Sequence, residues 1–312
     1  MNPKPHGIAR ISQVFGPRPK RRLPEGKRMT IAAGFVCLDG IVLCADTQEV
    51  ISGYTKNNTD KIKLWKDSGF GIGISGAGET ELIEALSDQI RDSLIADYTR
   101  ALVRFPDECL KIIQEVLLKF FNTSISPWVS FPKDERPNMP ELLILLGVSN
   151  DAVHYQCLFR TSGTTVRHIE PGADCLGTGL LIAKSLTERL YSCFSEIDDM
   201  VIIACYILYH TKKWVDTCGG DTHLLVSSVE NDFFGSPFSS ADVQELERIF
   251  PLFDSNINNL LTVAFNPASV ESNLETVIKR LHTDLSNIKS QISTEIVRGL
   301  ARLKTKPSAS QK

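Results

Sequence analysis

Three residues carry groups that could act together: the Thr30 hydroxyl, the Asp46 carboxylate and the Lys61 amine. Taken singly, each has an ordinary place: a threonine at a strand start, an aspartate at a strand end, a lysine at a strand start. Their spacing makes them a candidate site. Asp39-Gly40 is a strong two-residue hairpin signal. A strand over Thr30–Leu38 followed by one over Ile41–Asp46 then returns Asp46 to the neighbourhood of Thr30. A second hairpin, Lys61–Trp65 with Gly69–Ile74, can bring Lys61 beside both. The three would converge at one end of a sheet, close to a glycine turn at Gly76-Ala-Gly78. Backbone N–H groups at a helix start there could face an anion or an oxyanion.

Other motifs carry less. Gly71-Ile-Gly73-Ile-Ser-Gly76 matches the dinucleotide pattern, but its first two glycines lie inside a strand, where the fingerprint should follow one. Cys218-Gly-Gly-Asp221-Thr-His223 crowds a thiol, an acid and an imidazole into six residues. Nucleophile and base usually come from distant segments, so a Gly-Gly turn entering a strand is the better reading. His6, His154, His168 and His210 are scattered without ligand spacing, and no metal site or cofactor is expected. Asp198-Asp199 falls near a helix N-terminus, where the helix dipole stabilises acids.

The elements that must position these groups follow from periodicity. Amphipathic helices are expected over Thr80–Val103 and Cys109–Phe121, then over Leu180–Cys193 and Glu196–Trp214. Gly53–Asp60 reads as a polar loop, and Asn122–Pro140, with four prolines, as an insertion or loop. Strands are expected over Glu141–Val148, Ala152–Arg160, Thr165–Glu170 and Thr222–Val229. A Ser149-Asn150-Asp151 turn splits the first two. Ser240–Ile249 and Val270–Leu303 are candidate late helices. Strands, two helices, strands, two helices and strands again argue for packed sheets flanked by helical layers, not for single helices alternating with strands.

Composition sets bounds. The chain has 312 residues, 42% hydrophobic and 23% charged, with a net charge of −3. That is an ordinary globular balance, large enough to need no disulfide or metal staple. It gives no support to wholesale binding of nucleic acid or of anionic membrane. The longest apolar runs fall far short of the ~20 residues of a spanning helix. The N-terminus has no apolar core of a signal peptide. Eight cysteines without a CxxC pair read as small buried apolar residues in a reducing cytoplasm. Residues 1–28 hold eight Lys or Arg, one Glu and five Pro, about +7 in charge, which leaves about −10 for the rest. A segment of that composition is expected to be disordered.

At Met29-Thr-Ile-Ala-Ala-Gly-Phe-Val-Cys-Leu-Asp-Gly-Ile-Val-Leu-Cys-Ala-Asp46 the sequence resembles the start of a mature proteasome β-type subunit, and is similar to the related bacterial two-ring protease. These are N-terminal nucleophile (Ntn) hydrolases. The sixteen-residue step from Thr30 to Asp46 matches the family's step from nucleophile to aspartate. Lys61-Ile62 matches its catalytic lysine. Ile74-Ser-Gly76-Ala-Gly-Glu resembles its oxyanion turn, Leu176–Ala183 its later helix start, and Cys218-Gly-Gly220 its late Ser-Gly-Gly turn. The resemblance covers residues 30–230. Departures are Thr178 and Cys218 where serine is usual, and Asp216 one position from the family's second aspartate. Gln48 stands where many members have arginine.

The resemblance implies an α+β fold: a four-layer αββα Ntn-hydrolase sandwich, two antiparallel sheets between helical layers, with a helical C-terminal extension. It divides the chain into 1–29, a tail or propeptide; 30–230, the Ntn domain; 231–303, the extension; and 304–312, a disordered tail. It implies Thr30, Asp46 and Lys61 as catalytic residues, with Gly76, Thr178, Asp216 and Cys218 in oxyanion or support roles. The base would be the α-amine of Thr30 itself, which exists only if Thr30 begins the mature chain. Met29 before Thr30 is a natural initiator context; removal of that methionine, or propeptide cleavage, would free the amine. The implied substrate is a peptide or unfolded protein, the implied partners a homo-oligomeric ring and an ATPase unfoldase. Two other readings stay open: an inactive structural ring subunit, and a non-peptidase amidase.

Overall fold

The computed structural model describes residues 30–51, 55–67, 70–97, 104–132, 135–149, 154–228, 233–265 and 271–305. The tail 1–29, the Ser149-Asn150-Asp151 turn beyond Ser149, and residues 306–312 lie outside the described residues.

Two five-stranded antiparallel sheets form the centre. The first is built from β1 (Ile31–Val36), β2 (Gly40–Asp46), β10 (Ala173–Gly177), β11 (Thr222–Ser228) and β12 (Phe233–Gly235), in the order β10-β1-β2-β11-β12. The second is a meander of β5 (Ile62–Asp67), β6 (Phe70–Ala77), β7 (Glu141–Ser149), β8 (His154–Ser162) and β9 (Thr165–Ile169). A two-stranded ribbon, β3 (Gln48–Ile51) with β4 (Thr55–Asn58), links the sheets.

The layers follow from side-chain alternation. Along β2, Ile41, Leu43 and Ala45 face the second sheet and meet Leu143, Leu145, Leu158 and Leu225 in an apolar seam. Val42 and Cys44 face the other way, onto α3 (Leu180–Leu190) and α4 (Ile197–Trp214). On the far side, Ile72, Ile74, Ile144 and Leu146 pack against α1 (Thr80–Ala96) and α2 (Asp107–Phe120). Strands buried on both faces read as continuous apolar runs, as in Leu142–Val148. The α+β sandwich with helices on both outer faces is as expected. The apolar clusters have the composition of protein cores, and each Leu or Ile buried in them contributes roughly 1.5–3 kcal/mol.

Several boundaries differ from the sequence reading. α1 ends at Ala96, where Asp97 leaves helical geometry; residues 98–103 lie outside the described set. Part of the Asn122–Pro140 loop is helical: α2 runs on into a π-helical turn (Phe121–Ile125) and a 3₁₀ turn (Ser126–Ser130). Gly53–Asp60 contains β4, a strand with no apolar alternation, held by its ladder to β3 from Gln48↔Asn58 to Ile51↔Thr55. The hairpin between β1 and β2 turns at Leu38-Asp39, one residue early, because the Cys37 N–H donates to the Gly40 carbonyl (2.7 Å). Asp39 spends its carboxylate on the Ile197 N–H at the start of α4 (2.8 Å). A Cβ on Gly40 would lie 2.2 Å from the Ser227 carbonyl, so glycine is needed there for close approach.

The C-terminal helices are α5 (Ser240–Phe265) and α6 (Glu271–Thr305). α5 runs past Ile249 through Pro251. Leu246 and Phe250 are buried against the α4 layer while Pro251 faces outward, so packing overrides the break. The first turns of α5 belong to the same core as α4, through Val243, Leu246 and Phe250.

Candidate functional site

Asp46 ends β2, and the β1–β2 register (Ala32↔Ala45) sets it beside the first residues of β1. Its carboxylate is fully buried. Oδ1 accepts from the Thr30 hydroxyl (2.9 Å), the Ile31 N–H (3.1 Å) and the Lys61 ammonium (2.7 Å). Oδ2 accepts from the Gly219 N–H (2.9 Å). Charge-assisted bonds to a buried carboxylate are the strong kind, and four donors offset its desolvation. Thr30 itself is only 5% exposed.

Lys61 reaches Asp46 by a route the sequence reading did not supply. The β5–β6 hairpin of the second sheet begins directly after Lys61. After Asp46 the chain runs out along β3 and back along β4, and the Thr59 N–H closes the ribbon onto the Thr47 carbonyl (2.8 Å). This puts Lys61, fifteen residues beyond Asp46, at the mouth between the sheets. Its ammonium also donates to the Gln48 carbonyl. Thr30 and Asp46 therefore lie at one end of the first sheet, and Lys61 comes to them from the head of β5 in the second.

Gly76 stands on the opposite wall. It pairs with Leu142 of β7. The Leu142 N–H donates to the Thr161 hydroxyl on β8 (2.8 Å), so Leu142 turns its backbone away from Gly76. In an antiparallel ladder Gly76 then turns its own N–H away from β7, toward the β5 edge. β5 starts at Ile62, opposite Ser75, so Lys61, the residue before the strand, comes next along that edge. Gly76 lines a cavity together with Thr30, Lys61, Glu49, Thr80 and Ile83, among others.

The remaining expected site residues lie at different ranges. Thr178 is close: its hydroxyl donates to the Thr30 carbonyl (3.4 Å) and lies 3.3 Å from the Thr217 hydroxyl and 3.8 Å from Cys218 Sγ. The Cys218 thiol is held up at about 11, first by burial and then by the Asp46 charge, so it is protonated and no nucleophile near neutral pH. Asp216 is exposed, and its backbone carbonyl accepts from the Gln48 side chain (3.5 Å). Gly177 (φ +101°) brings β10 against Thr30: a Cβ there would sit 2.0 Å from the Thr30 carbonyl oxygen. His223 faces Asp60 (3.0 Å), and the Gly219-Gly220 turn enters β11 as expected.

The contacts that sequence reasoning missed are backbone ones or come from the ribbon. Residues 46–48 zip to 219–221: the Thr47 N–H donates to the Asp221 carbonyl (2.9 Å), the Gln48 N–H to the Gly219 carbonyl (3.0 Å), and the Asp221 N–H to the Thr47 hydroxyl (2.8 Å). The turn is tied in turn to the C-terminal helices. Lys212 of α4 donates to the Gly220 carbonyl (3.1 Å) and to Glu247 of α5 (2.6 Å). Glu49 of β3 is 8% exposed, and accepts from the Thr80 (2.8 Å) and Thr59 (3.4 Å) hydroxyls. No residue-type motif marks any of these.

With the geometry in view, comparison with known proteins is informative at the level of fold. No family model and no curated protein matches the chain. Solved structures do. Anbu, an ancestral β-subunit, from Yersinia bercovieri superposes with a TM-score of 0.57 at 12% identity, covering 77% of this chain and all of that one. A Gly-1 mutant of Anbu from Hyphomicrobium sp. strain MC1 gives 0.56 at 11% identity, with 73% and 96% covered. Anbu from Pseudomonas aeruginosa, solved as a helical assembly, gives 0.54 at 11% identity, with 78% and 99% covered. The fold is the one these β-subunits have.

Proposed function

We propose that this chain is a threonine-type N-terminal nucleophile hydrolase that cleaves amide bonds through an ester on Thr30. The observation that carries the reading is the sharing of one buried Asp46 oxygen by the Thr30 hydroxyl and the Lys61 ammonium, at the wall of a cavity that Gly76 also lines. The Thr30 oxygen bonds to the scissile carbonyl carbon, and its proton passes to the α-amine of Thr30 and on to the leaving nitrogen as the C–N bond breaks. Water then hydrolyses the ester and restores the hydroxyl. Asp46 holds Lys61 in place, and the Lys61 charge lowers the proton affinity of the nucleophile. The Gly76 N–H stabilises the tetrahedral oxyanion, an interaction worth ~3–4 kcal/mol in comparable sites. The amine must be free, which requires cleavage of the Met29–Thr30 bond.

Proteasome-like proteolysis in the cytoplasm is the setting this reading favours, on peptide or unfolded-protein substrates. A symmetric homo-oligomer is expected, as Anbu from Pseudomonas aeruginosa was solved as a helical assembly. A partner ATPase would supply unfolded chains. The second reading is an inactive assembly subunit. Retention of residues 1–29 would favour it, because a Thr30 in peptide linkage has no free amine to act as base.

The test compares chains starting at Thr30, made by cleaving off a fused leader, with chains starting at Met1. Peptide hydrolysis by the first, absent from the second and from Thr30→Ala, is the expected result. Equal rates in all three would remove Thr30 from the chemistry, and no hydrolysis by any would leave the assembly subunit.

A further inference from the structure

Gly219 and Gly220 have no side chains to hold them, and glycine loses more conformational freedom on folding than any other residue. The placing of the Gly219 N–H on Asp46 Oδ2 (2.9 Å) must therefore come from contacts made to the turn from outside it. One side of the turn is held by residues 46–48. The other side is held by α4 and α5. An ammonium has three N–H donors. Those of Lys212, on α4, go to the Gly220 carbonyl (3.1 Å), the Thr222 hydroxyl (2.9 Å) and the Glu247 carboxylate of α5 (2.6 Å). The Thr222 hydroxyl donates its own proton to the same Glu247 oxygen (2.7 Å). One turn earlier on α5, Gln244 donates to the Asp221 carboxylate (2.8 Å). Residues 220, 221 and 222 are thus each tied to α4 or α5. The helix α5 is itself seated on α4, through Leu246 and Phe250 in the core and through the Tyr206 hydroxyl on Asp254 (2.7 Å).

We infer that Lys212 and Glu247 are positioning residues of the site: they brace the 219–222 turn, which keeps the Gly219 N–H on Asp46 and the Asp46 carboxylate on Lys61. The pair is mostly buried, at 10% exposure for Lys212 and 17% for Glu247. An ammonium in so dry a place stays on a backbone carbonyl only while a carboxylate shares it. Without Glu247 the ammonium turns out toward water and the Gly220 carbonyl loses its donor. The two glycines then regain their freedom, Asp46 Oδ2 loses the Gly219 N–H for part of the time, and the carboxylate rotates. Its Oδ1, shared by Thr30 and Lys61, moves with it. The inference deepens the hydrolase reading and rests on it for the effect on rate; the effect on the turn stands apart from it. Misplacement of this kind slows the bond-making step and leaves substrate binding alone.

Two measurements separate this inference from the hydrolase reading. The first needs no catalysis. Backbone amide exchange is followed by mass spectrometry in the full chain and in its Lys212→Met and Glu247→Gln forms. The peptide that covers Gly219 and Asp221 is expected to exchange about tenfold faster in both, while a peptide over Leu143–Val148 in the second sheet keeps its rate. Gln244→Ala removes one exposed hydrogen bond, and is expected to speed the same turn peptide about threefold. A variant at 212 or 247 that fails to fold therefore does not protect the inference. Unchanged exchange at the turn in every variant that folds overturns it and leaves the hydrolase standing. In the second, chains starting at Thr30 are assayed on one peptide amide. For Glu247→Gln and Lys212→Met, kcat is expected to fall about tenfold with KM within about twofold, and Lys212→Arg, which keeps a cation with several donors, to recover most of the loss. Arg248→Met, which breaks an exposed pair with Glu245 on the same helix, is expected to leave kcat unchanged. A raised KM at unchanged kcat, or an equal loss in Arg248→Met, overturns the positioning role. Faster exchange at the turn in a chain that cleaves no peptide supports the brace and removes the hydrolase.

Discussion

The Gly219 N–H donates to Asp46 Oδ2 at 2.9 Å, across 173 residues of chain. One backbone group at a late turn thus completes the shell of an acid placed by the first hairpin. The consequence is that Asp46 is as much a structural keystone between β2 and the 219–221 turn as a partner for Lys61. Asp46→Ala would remove the carboxylate bonded to the Lys61 ammonium, which is 12% exposed. Loss of ~3–5 kcal/mol is expected from urea melts. Adding Lys61→Met to Asp46→Ala should recover part of that loss, since the ammonium that Asp46 bonded goes with it. Equal stability of Asp46→Ala and the unaltered chain would refute the keystone role.

Gly177 and Gly163 both have positive φ, +101° and +57°, but only Gly177 is crowded. A methyl at Gly177 would meet the Thr30 carbonyl oxygen, whereas one at Gly163 meets nothing within 4 Å. Gly163→Ala should cost about 1 kcal/mol, the ordinary price of the left-handed region. Gly177→Ala should cost well over ~2 kcal/mol, because β10 must move off β1. Thermal melts of the two variants side by side give the answer, and similar midpoints would contradict it.

The His223–Asp60 pair ties the loop before Lys61 to β11. The hydrogen bond to Asp60 raises the imidazole above its usual value, and the hydrogen bond from His223 lowers the carboxyl. Stability from a raised histidine is fully present below its unfolded value of ~6.5 and fades as pH rises through the folded value. Stability from a lowered aspartate is present above its unfolded value of ~3.9 and fades as pH falls through the folded one. The pair therefore helps most between about pH 4 and 6.5. The urea midpoint of His223→Asn should fall below that of the unaltered chain near pH 5 and match it by about pH 9. A gap that is the same at both pH values would show that the pair contributes by packing alone.

All eight cysteines are free, and seven are buried. Burial holds Cys218 and Cys175 at about 11, and Cys37 and Cys109 at about 12; it raises Cys44, Cys157 and Cys205 as well. Cys193 alone is partly exposed. Brief treatment of the folded chain with iodoacetamide near pH 7.5 should add one label, at Cys193 by peptide mapping. A label on Cys218 would mean that the turn beside Asp46 opens readily.

Much of this molecule is legible in its sequence because its decisive signals are local. A tight hairpin between two apolar strands puts Asp46 beside Thr30 whatever the rest of the chain does, since period-two alternation leaves one register that buries both faces. The helices over Thr80–Ala96 and Ile197–Trp214 announce themselves by apolar spacing. The polar strand Thr55–Asn58 does not, because its reason for being extended is its ladder to Gln48–Ile51 and no pattern of its own. Helix α5 passes Pro251 for a similar reason: burial of Leu246 and Phe250 outweighs a local rule.

The identity and spacing of Thr30, Asp46 and Lys61 were thus determined by sequence, together with the sandwich of two sheets between helices. Only the tertiary structure decided that Lys61 arrives along a ribbon at the seam between the sheets, that Gly219 closes the shell of Asp46, and that Glu49 lies in the cavity beside Thr30. The physical reason is the range of the forces. Apolar periodicity and turn chemistry act over a few residues and leave their mark in order along the chain. Backbone hydrogen bonds between segments more than 170 residues apart can be made by any residue with an N–H, and so leave no mark until the chain has folded.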